Sequence, residues 1–273
     1  MSYTLEGLYG IKDEVIVVAG AAGGIGLELC RAISDLGGKV AAIVRSEKSC
    51  HKIREALKGA KEESFFCTLA DLTDEDAVRN SMEEIYRHFG KIDGLVNAAG
   101  MNIIESLEQM ELTDFQKVMD ANFTSVVICC KYAGHYMLQN GKGRIVNISS
   151  LSAVKGKAYY TAYASSKAAV DSFTRALAIE WARKGINVNS IAPSMIVTDI
   201  NRKQIEANPD SYKKRVESIP RGCPGRTEWL VSPVIMLLSP GSVHLTGQTI
   251  FVDGGCTAGD TFVMETRRFE TGK

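Results

Sequence analysis

Six short β-branched and apolar runs recur along this chain, with stretches of helical periodicity between them. The runs lie in EVIVVAG (14–20), KVAAIV (39–44), GLVNAAG (94–100), GRIVNIS (143–149), GINVNSIAP (185–193) and QTIFVDGG (248–255), bounded by Gly, Pro or Asn. Between them, IGLELCRAISDLG (25–37), DEDAVRNSMEEIYRHFG (74–90) and SKAAVDSFTRALAIEWARKG (166–185) space apolar residues three and four apart. Parallel strands need a crossover connection, and a helix supplies one. Strands that are apolar almost throughout suit a sheet buried on both faces. The pattern therefore predicts an α/β fold with a parallel sheet covered on both sides. No linker rich in Pro, Gly or Ser divides it, so one domain is expected over 1–256. Residues 257–273 lose the rhythm and read as a tail.

Composition narrows the function classes. With 45% hydrophobic and 23% charged residues over 273, a sizeable core is expected. The 32 basic residues balance the 32 acidic ones, which argues against a nucleic-acid or anionic-membrane surface. VIMLLS, between Pro233 and Pro240, is too short to span a bilayer. MSYTLEGLYGIKDE shows no basic stretch leading into an apolar core, so a soluble cytoplasmic protein is expected. The seven cysteines include the adjacent Cys129 and Cys130 but no C-x-x-C pair. They read as reduced, mostly buried thiols, not as a disulfide framework or zinc site. His51, His88, His135 and His244 form no metal spacing, and no metal is expected.

In VVAGAAGGIGLEL a strand runs through a glycine-rich turn into a helix. Gly20, Gly24 and Gly26 give G-x-x-x-G-x-G, with Gly23 in addition. Glycines let the backbone turn tightly and approach a pyrophosphate, whose charge then rests on the positive end of the helix. No Gly-Lys-Ser/Thr follows, which disfavours a P-loop. A mere tight connection is the alternative. In dinucleotide-binding folds an acid at the end of the second strand holds the ribose hydroxyls of NAD, and a basic residue suits the phosphate of NADP. Here Val44 takes the acid's place and Arg45 and Ser46 follow, which favours NADP(H) over NAD(H). A solvated Arg45 is the competing reading.

Three tyrosines crowd the stretch 159–163, and only Tyr163 has a lysine four residues on, Lys167. That spacing makes the two neighbours on a helix. A phenol, with a reference pKa of about 10, is a poor proton donor or acceptor at neutral pH. A nearby ammonium favours the phenolate and brings it toward the useful range. Y-x-x-x-K alone occurs by chance in many amphipathic helices.

In company it is distinctive. AGAAGGIG (19–26), ADL (70–72), NAAG (97–100), Asn122 within DANFTS, IVNISS (145–150), YASSK (163–167), IAPSMIVT (191–198) and LTGQTIFVDGG (245–255) stand in one order over nearly all of 10–255. Together they resemble the short-chain dehydrogenase/reductase family. The resemblance implies a single-domain Rossmann fold, a doubly wound parallel sheet of about seven strands with helices on both faces. It also implies an oxidoreductase passing a hydride between NADP(H) and a carbonyl or secondary alcohol. Tyr163 would be the acid in reduction and the base in oxidation, and Lys167 would lower its pKa and hold the nicotinamide ribose. Ser150, thirteen residues before Tyr163, would hydrogen-bond the substrate oxygen; Ser149, its neighbour, should point to the other side of the strand end. Asn122 would hold a water linking Lys167 to solvent.

For the cofactor, the resemblance assigns Gly20, Gly24, Ile25 and Gly26 to the phosphates, Arg45 and Ser46 to the adenosine ribose, and Asp71 and Leu72 to the adenine. Asn97 and Gly100 would line the groove and Thr198 would touch the carboxamide. Asp71 and Thr73 have helix capping as an alternative, Asn97 the joining of strands, and Asn122 the satisfaction of backbone groups. The resemblance further implies a homotetramer built partly from the helix of Tyr163 and the VDGG region, with a dimer as the alternative. Ser194 stands where the family more often has glycine.

Residues 195–222 occupy the place of a substrate-covering segment. Lys213, Lys214 and Arg215 suggest an acidic substrate or an acyl carrier protein, yet Tyr212, Val216 and Ile219 form an apolar stripe at helical spacing, so those charges read first as the solvated opposite face. Met101, Asn102, Val154, Tyr160 and Met195 are pocket candidates. Sugar acids, polyols and 3-oxoacyl thioesters are favoured on the resemblance to gluconate dehydrogenases and oxoacyl reductases, with hydroxysteroids open. A non-catalytic NADP-binding sensor is the reading from another class; retention of Asn122, Ser150, Tyr163 and Lys167 argues against it.

Overall fold

A computed structural model describes residues 3–198 and 206–259. Strands β1 (Val15–Ala19), β2 (Lys39–Val44), β3 (Phe65–Leu69), β4 (Gly94–Asn97), β5 (Gly143–Ile148), β6 (Ile186–Pro193) and β7 (Thr249–Val252) form one sheet in the order β3-β2-β1-β4-β5-β6-β7. Every neighbouring pair is parallel. This is the doubly wound α/β architecture expected, and it includes one strand, β3, outside the six apolar runs.

Strand β1 shows why the runs are apolar throughout. Successive side chains of a strand point to opposite faces. Val15, Val17 and Ala19 join the core on one face, and Ile16 and Val18 join the core on the other. The first face is covered by α4 (Glu75–Phe89), α6 (Ser125–Asn140) and α7 (Thr161–Trp181), through Val78, Met82, Ala133, Met137, Val170 and Trp181. The second is covered by α2 (Gly24–Asp35), α3 (Glu47–Ala56) and Val231–Leu238, through Leu29, Ile33, Ile53, Val234 and Leu237. Each large apolar side chain buried in this way contributes about 1.5–3 kcal/mol. Helix α4 shows the local signals plainly: the Asp74 carboxylate accepts from the Ala77 N–H at 3.0 Å, and Gly90 ends the helix at φ 76°.

The cysteine expectation needs correction. Cys50 on α3 and Cys67 on β3 form a disulfide, with Cα atoms 6.1 Å apart. The parallel pairing of β2 with β3, and the packing of α3 on both, bring together residues 17 apart in sequence. The other five thiols are free. Burial pushes Cys30 and Cys129 up to about 12, which leaves them inert as nucleophiles at neutral pH.

Candidate active site

The strand order reverses direction between β1 and β4, and in open α/β sheets a crevice forms at such a switch point beyond the strands' carboxyl ends. A cavity of about 1450 Å³ lies there. Gly20 follows β1 with φ 82°, and a Cβ on it would stand 2.6 Å from the Ala99 N in the turn after β4. Only glycine permits that approach. Helix α2 begins at Gly24 behind a glycine N-cap without a capping side chain, so its first-turn amides have no side-chain acceptor. Gly20, Gly23, Gly24 and Ile25 all line the cavity. Twelve residues of helix behind an open amide turn fit the pyrophosphate of a dinucleotide. A side chain at Gly24 would run into Thr198, which stands 2.8 Å from where its Cβ would be.

Gly26 does not line the cavity. Its missing Cβ lets the first turn of α2 pack against the Gly20 carbonyl, a structural service to the turn. At the other end Arg45, Asp71 and Leu72 line the wall where β2 and β3 finish. Two hydrogen bonds from Thr73, at 3.0 and 2.7 Å, hold the Asp71 carboxyl below its usual range, and the Arg45 charge assists. Asp74, not Asp71, caps α4. Ser46 lies outside the lining and caps α3 by accepting from the Ser49 N–H; Ser49 lines the cavity in its place. Asn97 is also outside the lining. It is 3% exposed and donates from Nδ2 to Asn147 Oδ1 at 2.8 Å, so it joins β4 to β5 while Gly100 lines the groove.

The three tyrosines separate cleanly. Tyr159 has φ 68° and is 58% exposed. Tyr160 lines the cavity with Lys157 Nζ 3.8 Å above its ring, and meets Tyr163 edge to face at 6.1 Å. Tyr163 faces the cavity, hydrogen-bonded to Ser150. Burial raises its pKa, while the bond to Ser150 pulls it back down. The lowering expected from Lys167 is not found in this structure: desolvation of the phenolate sets the direction, and the group that opposes it is Ser150. Lys167 is itself buried, with Nζ 5.9 Å from the Tyr163 ring centre and donating to the Ile148 carbonyl at 2.8 Å. Burial drives its pKa down to about 8, against the pull of Asp171 one turn along the helix. Ser149 also reaches the cavity wall, but its hydroxyl turns to the Lys167 carbonyl at 3.4 Å.

Asn122 sits in a π-turn, Asp120–Thr124, between Leu112–Met119 and α6, where the Ser125 N–H reaches five residues back to the Asp120 carbonyl. Fully buried, it accepts from the Met101 N–H at 2.7 Å and donates to the Met101 carbonyl and to Ser166 Oγ, both at 2.9 Å. A Cβ on Gly100 would come 3.1 Å from Asn122 Oδ1 and 3.5 Å from Lys167 Nζ, so the three groups are packed together.

Around the substrate end, Met101, Asn102, Tyr160 and Met195 line the cavity and Val154 is exposed outside it. Ser194 also lines it; its φ is not positive and its N–H reaches the Val252 carbonyl at 3.3 Å, so the replacement of glycine is accommodated. Helix α8 (Pro209–Glu217) splits the basic cluster: Lys213 and Lys214 face solvent, and Arg215 lines the cavity. Of the segment 195–222, residues 199–205 lie outside the described residues, as does the tail beyond 259. Lys155, Lys157 and Cys256 also line the wall and carry no sequence signal beyond their nearness to Ser150, Tyr160 and the VDGG stretch. His88 stacks on Phe66 and His135 packs on Tyr136; among the described residues no group of His, Cys, Asp and Glu is arranged to hold a metal.

Comparison with known proteins agrees with this geometry. A family model described as enoyl-(acyl carrier protein) reductase matches residues 20–257. The glucose 1-dehydrogenase of Gluconobacter oxydans (strain 621H) is 36% identical over 243 residues, covering 89% of this chain and 91% of that protein. The NAD-dependent glycerol dehydrogenase of Listeria innocua serovar 6a is 30% identical over 249 residues, 91% of this chain and 96% of that one. A crystal structure of a gluconate 5-dehydrogenase from Burkholderia cenocepacia J2315, in complex with NADP and tartrate, has a TM-score of 0.87 at 27% identity. It covers 94% of this chain and 100% of that one.

Proposed function

The chain belongs to the short-chain dehydrogenase/reductase family, and from that premise we propose that it passes a hydride between NADP(H) and the carbonyl or secondary-alcohol carbon of a sugar acid, polyol or 3-oxoacyl compound. Family membership makes it an NAD(P)-dependent oxidoreductase acting on CH–OH groups. The observation that carries the reading is the convergence of Tyr163, Ser150 and Lys167 on one wall of the cavity that the open amide turn of α2 also borders.

The bound nicotinamide supplies or accepts the hydride. Ser150 holds the substrate oxygen, and Tyr163 delivers a proton to that oxygen in reduction and removes it in oxidation. With a pKa of about 8 the Lys167 amine stays cationic at neutral pH and favours the phenolate when Tyr163 acts as base. Asn122 fixes the Gly100–Met101 turn beside Lys167, and the second lone pair of its Oδ1 is assigned to a water leading toward solvent. Gly20, Gly24 and Ile25 take the pyrophosphate, Asp71 and Leu72 the adenine, and Lys167 the nicotinamide ribose.

NADP(H) is favoured on Arg45 and the absence of an acid at Val44. The similar proteins do not decide it, since one is described as NAD-dependent and another in complex with NADP. Residues 1–256 are read as the catalytic domain, with 195–222 over the substrate. A homotetramer is proposed, supported by Leu112 and Ile179, each more than 80% exposed. A cytoplasmic location is proposed on the five free thiols, against which the Cys50–Cys67 disulfide stands. No helix among the described residues is long and apolar enough to cross a membrane.

The test is nicotinamide absorbance over time, with NADPH and NADH separately, against oxo-sugar acids, oxoacyl thioesters and oxosteroids. Tyr163→Phe is expected to bind NADPH as the wild type does and to lose at least ~100-fold in kcat. An unchanged kcat would remove Tyr163 from the chemistry. Tight NADPH binding with no turnover of any carbonyl would favour the sensor.

A further inference from the structure

The cavity carries an excess of positive charge. Among the described residues five of its lining side chains are cationic (Arg45, Lys155, Lys157, Lys167 and Arg215) and one, Asp71, is a carboxylate. The chain as a whole balances 32 against 32, so the excess is local. Arg45 and Asp71 belong to the adenosine end, and Lys167 is committed to Ile148 beneath Tyr163. Lys155, Lys157 and Arg215 remain, and among the described residues the lining holds no carboxylate besides Asp71.

These three cations come from separated segments. Lys155 follows Ser150 by five residues, and its charge reaches the Cys256 thiol, which lies just past β7. Arg215 comes from α8, with Ser218 and Ile219 lining the same wall. The Arg221 N–H donates to the Gly254 carbonyl at 3.0 Å, and Gly254 packs against Ile219, so the end of α8 is tied to the turn that carries Cys256. Lys157 is held over the Tyr160 ring. No ion pair among the described residues uses Lys155 or Arg215. On an amphipathic helix a solvated cation has open water available, as Lys213 and Lys214 take it; Arg215 faces the cavity instead. Arg215 is half-buried in the cleft and Lys155 stands exposed at its rim, and cations gathered about a cleft attract an anion more strongly than the same charges spread over open surface.

We propose that Lys155 and Arg215 form a carboxylate clamp, so that the enzyme selects an oxo or hydroxy acid over the neutral sugar or polyol of the same carbon skeleton. The clamp rests on the hydride-transfer reading of Tyr163 and narrows it to anionic substrates. The guanidinium supplies a forked pair of donors and the ammonium a point charge, and the carboxylate sits at a carbon other than the one that reacts. Charge at the cavity also speeds the encounter with an anionic substrate, an advantage that salt removes.

The experiment measures NADPH oxidation with 2-, 3- and 5-oxoaldonates, each beside a ketose of the same length lacking the carboxylate, for wild type, Lys155→Met, Arg215→Met and Arg215→Lys. The expected result is a wild-type preference for the acids that shrinks with added salt. Each Met variant should raise KM for the acid roughly 10- to 100-fold, with kcat within about threefold and the ketose KM unmoved. Arg215→Lys should recover part of the loss. Acid KM unmoved in both Met variants, or ketoses handled as well as acids by the wild type, would overturn the clamp and leave the reaction standing. Absence of turnover with every carbonyl, charged or neutral, would take down the reaction and the clamp with it.

Discussion

Replacing Lys167 with Met should stabilise the fold while ending turnover, and the balance should change with pH in a direction the structure fixes. The Lys167 amine is buried, with one hydrogen bond to Ile148 at 2.8 Å, and its pKa falls from 10.5 to about 8. Desolvation is the main cause; Asp171 opposes it without winning. Between those two values the unfolded chain holds the proton and the folded chain has released it. The unfolded state therefore binds more protons there, and stability rises with pH. At roughly 1.4 kcal/mol per pH unit, the fall amounts to about 3 kcal/mol of stability withheld at neutral pH and recovered above the ordinary lysine value. Lys167→Met keeps most of the aliphatic volume and has no such group. Urea unfolding, followed by the fluorescence of Trp181 and Trp229 at stepped pH from 7 to 10, reads the difference between the two proteins. The variant's advantage at pH 7 should be cut by roughly 1 kcal/mol for the lost bond to Ile148. The wild type should then gain about 2–3 kcal/mol on the variant by pH 10. A flat difference curve, or a wild type losing ground as pH rises, would refute the buried-ammonium account. The same variant should lose at least ~100-fold in kcat, since Tyr163 would have no cation beside it.

Two further outcomes are expected. Arg45→Asp should move the ratio of kcat/KM for NADPH over NADH by roughly 100-fold toward NADH, because a carboxylate repels the ribose phosphate and accepts from the free hydroxyls; steady-state kinetics on both cofactors checks this, and a wild type that already prefers NADH would refute the Arg45 reading. Cys50→Ser, or reductant on the wild type, should cost about 3 kcal/mol in urea unfolding, the chain-entropy value for closing a loop of this span. It should also weaken NADPH binding, since Ser49, Ala70 and Asp71, at the ends of the elements it joins, line the adenosine end; unchanged stability and affinity after reduction would show that the link carries neither.

Legibility followed the range of the interactions. Tyr163 and Lys167 were readable because a helix alone makes residues four apart neighbours, and the glycine turn because one stretch holds strand, turn and helix start. The Cys50–Cys67 link depends on β2 pairing with β3 and on α3 packing over both, and no cysteine spacing announces it. Strand β3 escaped notice for a related reason: at the sheet edge it is buried at Phe65 and Thr68 and exposed at Leu69, a weaker apolar run than the central strands show. The resemblance places Ser46 and Asn97 at the cofactor, and in the structure each has a partner within the chain, the Ser49 amide and the Asn147 side chain.

Asn122 shows why the choice between structural and functional readings can be a false one. Its amide satisfies backbone groups, as the plainer alternative held, but those groups belong to Met101 in the turn after β4, and its other contact is Ser166 on α7, beside Lys167. A regular α-helix would present this position one residue out of phase. The extra residue of the π-turn rotates it inward, where Gly100 leaves room for both Oδ1 and the Lys167 amine. A helix defect is tolerated when the surrounding packing stabilises it, and such defects cluster at functional sites. The bonds of Asn122 thus join the Met101 turn to Ser166, the residue before Lys167 on α7. Removing them would leave the Met101 backbone and the Ser166 hydroxyl, neighbours of Gly100 and Lys167, without their partner.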